Sequence, residues 1–399
     1  MCRHCKTCTA DVLVVAPSST VPRVTAHDAP DRCPGVLRPH RAADGALVRV
    51  RVPGGRLPAT SLVRLAALAA EHGTPFLQLT SRASLQLRGL PDAVPQALEE
   101  AVRALGLLPS DDHERARTLV AAPARVLDPV VEAVDAAVLA EPALAELPGR
   151  WLTVLADAAG THLDLPFDVA WRPEAADPDR GTLLAGDRAR GCDRRDVPRA
   201  VVDLMLRFLA HRPGAGTWNL RDLPEGSPVL TGWEERVPDG VAPPPAPGPT
   251  PDGRDRVVGV PLGLLTPAQA DAVAAVCSSL VVTPARSLVL RDPAPGAEDA
   301  LEATGLLTTP GHPLTRTTAC IGAPHCTRTE VPTLAWARAA AEAATATRTT
   351  SSTTTTSTSP AAPPVHVVGC ARACGRPPGA RVVLPTSPDD VLEALDDRG

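Results

Sequence analysis

Leu79-Thr-Ser-Arg-Ala-Ser-Leu-Gln-Leu-Arg-Gly89 is the stretch on which the fold turns, because much of it occurs twice in the chain. Thr283, Ser287, Leu288, Leu290 and Arg291 repeat Thr80, Ser84, Leu85, Leu87 and Arg88 at one constant offset. Upstream, Val260-Pro-Leu-Gly263 echoes Val52-Pro-Gly-Gly55, and downstream Gly305-Leu-Leu307 repeats Gly106-Leu-Leu108. Two copies imply a pseudo-twofold architecture with a site at the join; a solenoid needs more.

The pattern around the first copy gives its elements. Val48, Val50 and Val52 alternate with Arg49 and Arg51, which predicts a half-buried strand. Leu62, Leu65, Ala66 and Ala69 form an amphipathic stripe that stops at Gly73. Leu77 and Leu79, then Leu85 and Leu87, alternate with polar residues as two further strands. A second helix is expected from about residue 94 to 105. Helices should cover the apolar face of this sheet. The other face then presents Arg49, Arg51, Gln78, Thr80, Gln86 and Arg88. Several arginines with few opposing acids suit a polyanionic ligand or an acidic partner; a plainly solvated face is the structural alternative. In the second copy, Thr266-Pro-Ala-Gln269 is a capping box with proline at the first helical position, followed by an apolar stripe through Val273, Val276, Cys277 and Leu280.

Composition bounds the function classes. The 399 residues suggest two or three domains at ~150 residues each. Hydrophobic residues at 44% and charged residues at 21% are those of a soluble globular chain. No run approaches the ~18 apolar residues of a membrane span. A net charge of −5 counts against a general nucleic-acid binder. Lys6 is the only lysine, so the cationic chemistry is arginine's planar, carboxylate-gripping fork, although GC-rich codon usage produces the same bias. With no long apolar segment near the start and few cysteines, a cytoplasmic protein is expected. Residues 1–30 lack any period and are expected to be a disordered leader. Their Cys2, Cys5 and Cys8 form C-x2-C-x2-C, read either as a metal site or as part of a floppy leader.

Four cysteines near the C-terminal end carry the strongest chemical signal. Cys320-Ile-Gly-Ala-Pro-His-Cys326 is C-x5-C and Cys370-Ala-Arg-Ala-Cys374 is C-x3-C. Two tight thiolate pairs suit a 4Fe–4S cluster, which takes one thiolate per iron. Structural zinc prefers shorter spacings than C-x5-C, and disulfides are rare in a reducing compartment. Gly322, Pro324, Gly369, Gly375 and Pro377 suit a backbone that turns tightly around sulfurs. Cys33, Cys192 and Cys277 are isolated and read as small buried residues. Gly214-Ala-Gly216 lacks a third glycine, so no nicotinamide site is expected and electrons should come from a separate ferredoxin or reductase.

With these motifs the chain resembles the nitrite/sulfite reductase superfamily, whose hallmark is C-x5-C followed some tens of residues later by C-x3-C. The resemblance implies an α+β fold with two ferredoxin-like half-domains and two α/β domains in pseudo-twofold arrangement. It divides the chain into a leader (1–30), a first half-domain (31–110), a tetrapyrrole-binding α/β domain (111–240) and a Pro/Gly linker (241–253). A second half-domain (254–310) and an iron–sulfur domain (311–399) follow, the last carrying a disordered Thr/Ser loop at 345–362. It makes Cys320, Cys326, Cys370 and Cys374 cluster ligands. Arg82 and Arg117 match arginines that bind the carboxylates of sirohaem. Arg150 joins them as a carboxylate clamp, with Arg49, Arg51 and Arg88 as weaker candidates.

One departure bears on the branch. Reductases of the superfamily carry a Pro-Arg-Lys-Phe-Lys type segment whose two lysines coordinate and protonate the oxyanion. Here Pro148-Gly-Arg-Trp-Leu152 keeps one cation at Arg150 and has Leu152 in place of the second lysine. That pattern, with Cys33-Pro-Gly35 and Gly369-Cys-Ala-Arg-Ala-Cys-Gly-Arg-Pro377, is similar to the precorrin-3B synthase family. This resemblance implies oxidation of precorrin-3A by dioxygen, in a cavity that holds sirohaem in the reductases; a sirohaem-dependent sulfite or nitrite reductase is the alternative, and a non-catalytic electron carrier a third reading. Oxygen activation needs more than a cube closed by four cysteines, so a further iron centre is left open. His162, Asp164 and Asp168 are close in sequence, but a structural histidine and loop acids are the preferred reading of them.

Overall fold

The computed structural model describes residues 31–236, 240–350 and 363–396. The leader, with Cys2, Cys5 and Cys8, lies outside the described residues, as do residues 351–362 of the Thr/Ser segment.

The first half contains β1 (His40–Ala42), β2 (Gly45–Val50), β3 (Arg56–Pro58), α1 (Ala59–His72), β4 (Leu77–Leu79), β5 (Leu85–Leu90) and α2 (Gln96–Ala104). A middle domain follows with β6 (Leu119–Ala121), α3 (Asp128–Ala140), β7 (Thr153–Leu155), β8 (Val169–Pro173), β9 (Gly181–Ala185), β10 (Arg188–Gly191), α4 (Val197–His211) and β11 (Glu234–Glu235). The second half has β12 (Gly248–Pro249), β13 (Arg256–Gly259), β14 (Leu264–Leu265), α5 (Pro267–Val276), β15 (Ser279–Val282), β16 (Ser287–Leu290) and α6 (Glu298–Glu302). The last domain has β17 (Thr317–Ala319), α7 (Thr333–Thr350), β18 (Val365–Val367), β19 (Arg381–Val383) and α8 (Pro388–Asp396).

The two halves build matching antiparallel sheets, in the orders β1-β2-β5-β4-β14 and β12-β13-β16-β15-β3. Each sheet therefore takes its last strand from the other half: β14 pairs with β4, and β3 with β15. The exchange starts at a tight turn present in both copies, where Gly54 and Leu262 have φ of 59° and 55°, and Gly55 and Gly263 of 76° and 73°. A Cβ on Gly55 would lie 2.0 Å from the Val282 carbonyl oxygen, so only glycine lets the crossing strand approach. The Thr80 and Thr283 turns also match, each closed by a bond from the Thr amide to a Ser carbonyl at 3.0 Å. One apolar core runs through both halves, with Leu62, Leu65 and Ala69 of α1 joined to Ala270 and Val273 of α5. The expected strand, helix, strand, strand, helix order is present. Part of the expected linker is not a linker: Gly248 and Pro249 form edge strand β12, a place where a missing amide is tolerated.

The middle sheet runs β11-β10-β9-β8-β7-β6. Leu119, Ala121, Leu155, Val169 and Trp171 face α3 and α4, while Val120, Val154 and Ala170 point the other way. In the last domain β17, β18 and β19 are parallel, and α7 is the crossover from β17 to β18. Helix α7 continues through residues 345–350, which corrects the expected loop boundary. Over this stretch the Thr345 and Thr347 hydroxyls donate to the Ala341 and Ala343 carbonyls one turn back (2.8 and 3.0 Å).

Candidate functional site

The four motif cysteines lie in two neighbouring loops that leave the C-terminal ends of adjacent parallel strands. Cys320 follows β17 directly, and its amide donates to Val367 O of β18 at 2.9 Å. The Gly369 amide points at Cys320 Sγ (3.4 Å), the kind of donor that favours a thiolate. Thr333 Oγ1 donates to the Cys320 carbonyl (2.7 Å). Gly322, with φ of 57°, packs so closely under Thr333 that a Cβ would sit 2.3 Å from its hydroxyl. Burial raises the pKa of Cys374, and the facing Cys320, Cys370 and Cys326 add to the rise while Arg372 opposes it. The four sulfurs thus share one electrostatic neighbourhood. Among the described residues no three His, Cys, Asp or Glu side chains close on a single metal-ion position. A cube is held at its corners by sulfurs that stand apart, so this donor set fits a four-iron cluster better than one zinc ion.

Each half-domain holds one of the two cysteine loops. From the first half, Asp44 pairs with Arg88 through two bonds (3.0 and 3.1 Å) and lies 3.4 Å from His325 Nδ1 in the C-x5-C loop. Phe76 meets the His325 ring edge-on, with centroids 6.0 Å apart. From the second half, Arg286 Nη2 donates to the Gly375 carbonyl in the C-x3-C loop (2.7 Å). His366 of β18 is fully buried. Its Nδ1 pairs with Thr318 Oγ1 (2.8 Å) and its Nε2 with the Cys374 carbonyl (3.2 Å). Burial and then the nearby Arg286 lower its pKa to about 4, so it is neutral.

The arginine-bearing face adjoins these loops through Arg88 and Asp44. Arg49 donates twice to Gln86 Oε1 (2.7 and 3.2 Å), and Gln86 in turn to Gln78 Oε1 (3.0 Å). The equivalent ladder in the second half is Val257, Val289 and Val281, a small apolar cluster. At these three positions only the first half is polar. Arg51 donates to Thr118 Oγ1 (3.1 Å) and Pro34 O (3.3 Å), while its buried Nη2 has no partner among the described residues. Arg82 Nη1 donates to the Arg150 carbonyl (2.8 Å), and the Arg150 guanidinium stacks 4.6 Å over Trp218 with Asp31 3.5 Å away. Burial is the main cause of the lowered pKa of Arg49, Arg51 and Arg82, and repulsion within the group adds to it; Arg51 is brought to about 10. Four guanidiniums share this region with three acids, Asp31, Glu114 and Asp168, and the excess of positive charge attracts carboxylates.

Two of the expected arginines are engaged elsewhere. Arg117 is buried and grips Asp135 with both edges of its fork (2.7 and 2.8 Å), its remaining nitrogen donating to Leu107 O (3.1 Å). Arg88 is held by Asp44 as described. Both are ion-paired inside the fold, unlike Arg82, for which no ion pair is seen among the described residues. Asp168 is also structural. It accepts from the Leu152 and Leu220 amides (2.8 and 2.7 Å) and from Asn219 Nδ2 (2.9 Å), and burial raises its pKa to about 6. His162 is buried, its Nε2 has no partner among the described residues, and burial lowers its pKa to about 4. Leu152 is fully buried in an apolar cluster with Ala83, Val120 and Val154.

The sequence reading missed Asp31, Asp44, Trp218 and Arg286, and assigned Cys33 to a plain buried role. Cys192 and Cys277 are buried, but Cys33 is partly exposed and interacts electrostatically with Arg49. Glu114 fixes the Cys33-Pro-Gly35 turn by accepting from the Val36 and Leu37 amides. Arg286 occupies the repeat position of Ala83, a signal available from the duplication.

No helix among the described residues is long and apolar enough to cross a membrane. The family model of the nitrite/sulfite reductase ferredoxin-like half domain matches residues 38–105. A precorrin-3B synthase from Sinorhizobium sp is 37% identical over 70 residues, a match that spans 18% of this chain and 15% of that protein. The structure of the Mycobacterium tuberculosis NirA protein is similar with a TM-score of 0.62 and 20% identity, covering 83% of this chain and 69% of that one. The first copy of the duplication is thus a nitrite/sulfite reductase ferredoxin-like half domain, set in a chain with a nitrite/sulfite reductase-like fold.

Proposed function

We propose that this chain is an iron–sulfur oxidoreductase acting on a carboxylate-fringed tetrapyrrole, with precorrin-3A as substrate and dioxygen as oxidant, as in precorrin-3B synthase. Cys320, Cys326, Cys370 and Cys374 hold the 4Fe–4S cluster in this reading. The cluster, when bound, relays electrons from a separate donor such as a ferredoxin or reductase. Arg82 and Arg150, backed by Arg49 and Arg51, receive substrate carboxylates and orient the ring, each desolvated pair worth ~1.5–3 kcal/mol. Hydroxylation at C20 and γ-lactone formation from the ring A acetate place one atom of dioxygen in the product, and the other leaves as water, taking two electrons from the donor and two protons.

The observation that carries the reading is Leu152, fully buried among aliphatic side chains where the reductases of the superfamily have a lysine. A six- or eight-proton reduction of an oxyanion is poorly served by Arg150 alone, a group that does not release its proton near neutral pH. The sirohaem-dependent reductase remains the second reading, favoured by the fold likeness to NirA over most of both chains. Anaerobic purification with iron and sulfide analysis and an absorption spectrum separates the two. A cluster spectrum free of sirohaem bands, with turnover of precorrin-3A under dioxygen, supports the oxygenase. Stoichiometric sirohaem with sulfite or nitrite turnover overturns it.

A further inference from the structure

Arg286 sits in the turn between β15 and β16 with φ of 57°, matching Ala83 at 53° in the first half. The two turns make parallel contacts with their neighbouring α/β domains. Arg82 Nη1 donates to the Arg150 carbonyl, and Arg286 Nη2 to the Gly375 carbonyl, one residue beyond Cys374. Arg286 is only 8% exposed, and among the described residues it has no carboxylate partner. Its aliphatic stem lies over Gly263, where a Cβ would come within 2.6 Å of Cδ. Burial lowers its pKa only to about 10, so it remains charged near neutral pH. A buried cation without a carboxylate is costly unless another negative group answers it. The carbonyl it bonds, Gly375 O, lies one residue beyond Cys374 in the C-x3-C loop, whose thiols become thiolates when they bind a cluster.

We propose that Arg286 is the buried counter-charge of the cysteine cradle, anchoring the C-x3-C loop at Gly375 and raising the reduction potential of an iron–sulfur cluster bound there. This rests on the cluster reading given above. A four-iron cluster with four thiolates is already anionic, and one-electron reduction adds another negative charge. A fixed cation in a poorly solvated pocket therefore favours the reduced form. Arg372 offers an internal comparison. It lies between Cys370 and Cys374 but is exposed, so water and salt screen it.

The test is a dithionite redox titration followed by EPR, on anaerobically purified full-length protein and its Arg286→Gln, Arg286→Lys and Arg372→Gln variants. Arg286→Gln is expected to keep its iron and sulfide but to have a lower midpoint potential. At fixed potential the oxidised-to-reduced ratio rises at least tenfold, about 59 mV for one electron. Arg286→Lys keeps the charge and should show less than half that shift, and Arg372→Gln should shift less than Arg286→Gln. A wild-type potential in a fully loaded Arg286→Gln overturns the proposal, as does an equal shift in Arg372→Gln. If Arg286→Gln does not fold, Arg286→Lys decides: a loaded protein near the wild-type potential supports the proposal, and loss of its cluster overturns it. Wild-type protein without iron and sulfide overturns the cluster reading itself, an outcome distinct from a loaded protein whose potential ignores Arg286.

Discussion

Removing Arg82 and removing Arg117 should have different consequences, because one guanidinium stands among cations and the other grips a carboxylate. Arg82 has Arg49 and Arg150 as repulsive neighbours, opposed by Asp168, and among the described residues its guanidinium bonds only a backbone carbonyl, at 2.8 Å. Arg82→Ala is therefore expected to weaken binding of a polycarboxylate tetrapyrrole about 10- to 100-fold while leaving the urea midpoint nearly unchanged. Arg117→Ala strands Asp135 and frees Leu107 O inside the fold. Breaking such a pair costs ~3–5 kcal/mol, with the lower end expected because Asp135 keeps some contact with water. Tetrapyrrole titration by fluorescence and urea unfolding of both variants separate the roles. Equal loss of affinity at unchanged stability would return Arg117 to the binding site. At this scale the motif cysteines were legible, since spacing alone pairs them. Arg117's partner was not, because Asp135 is brought to it by α3. Cys33 gave no local signal either, since its neighbours arrive from β2 and the Gly149 turn.

Short elements tie the halves together, and short elements leave little pattern. β3 has three residues and β14 two, too few for a period of two to register, yet each completes the opposite sheet. The ion pairs around the crossing are more durable evidence of the joint. Asp255 accepts from Arg125 and from Arg291 (2.6 Å), Arg125 also holds Asp292 (2.7 Å), and Asp128 receives Arg56 (2.8 Å) and Arg291 (3.4 Å). This network joins the first half, the middle domain and the second half. Asp255→Asn removes the charge that faces buried Arg291 and is expected to cost ~3–5 kcal/mol. The check is the urea midpoint at low salt; a change below the ~0.5 kcal/mol typical of surface sites would show that Arg291 is adequately balanced by Asp128 alone. The longer elements were readable from pattern: α1 from its stripe, α5 from its capping box, both now seen in the structure.

At the scale of the molecule, duplication and asymmetry act together. The shared core and the exchanged strands make the halves one folding body, while Arg49, Gln86 and Gln78 against Val257, Val289 and Val281 give a polar ladder in one half and an apolar one in the other. The repeat was visible in the sequence because turn residues recur. The exchange was hidden because a strand's partner is a tertiary fact. The consequence is measurable. A fragment of residues 31–110 retains β1, β2, β4 and β5 but lacks β14 beside β4 and α5 against α1. Its β4 edge would be unpaired, and Leu62, Leu65 and Ala69 would lose the α5 side of their packing. The fragment is therefore expected to show no cooperative urea transition by circular dichroism and to aggregate at micromolar concentration, whereas the full chain unfolds cooperatively. A sigmoidal transition with a slope suited to a fragment of that size would show that the first half folds alone. The strand exchange would then be a docking of two finished domains, and the site at their join would form after each half had folded.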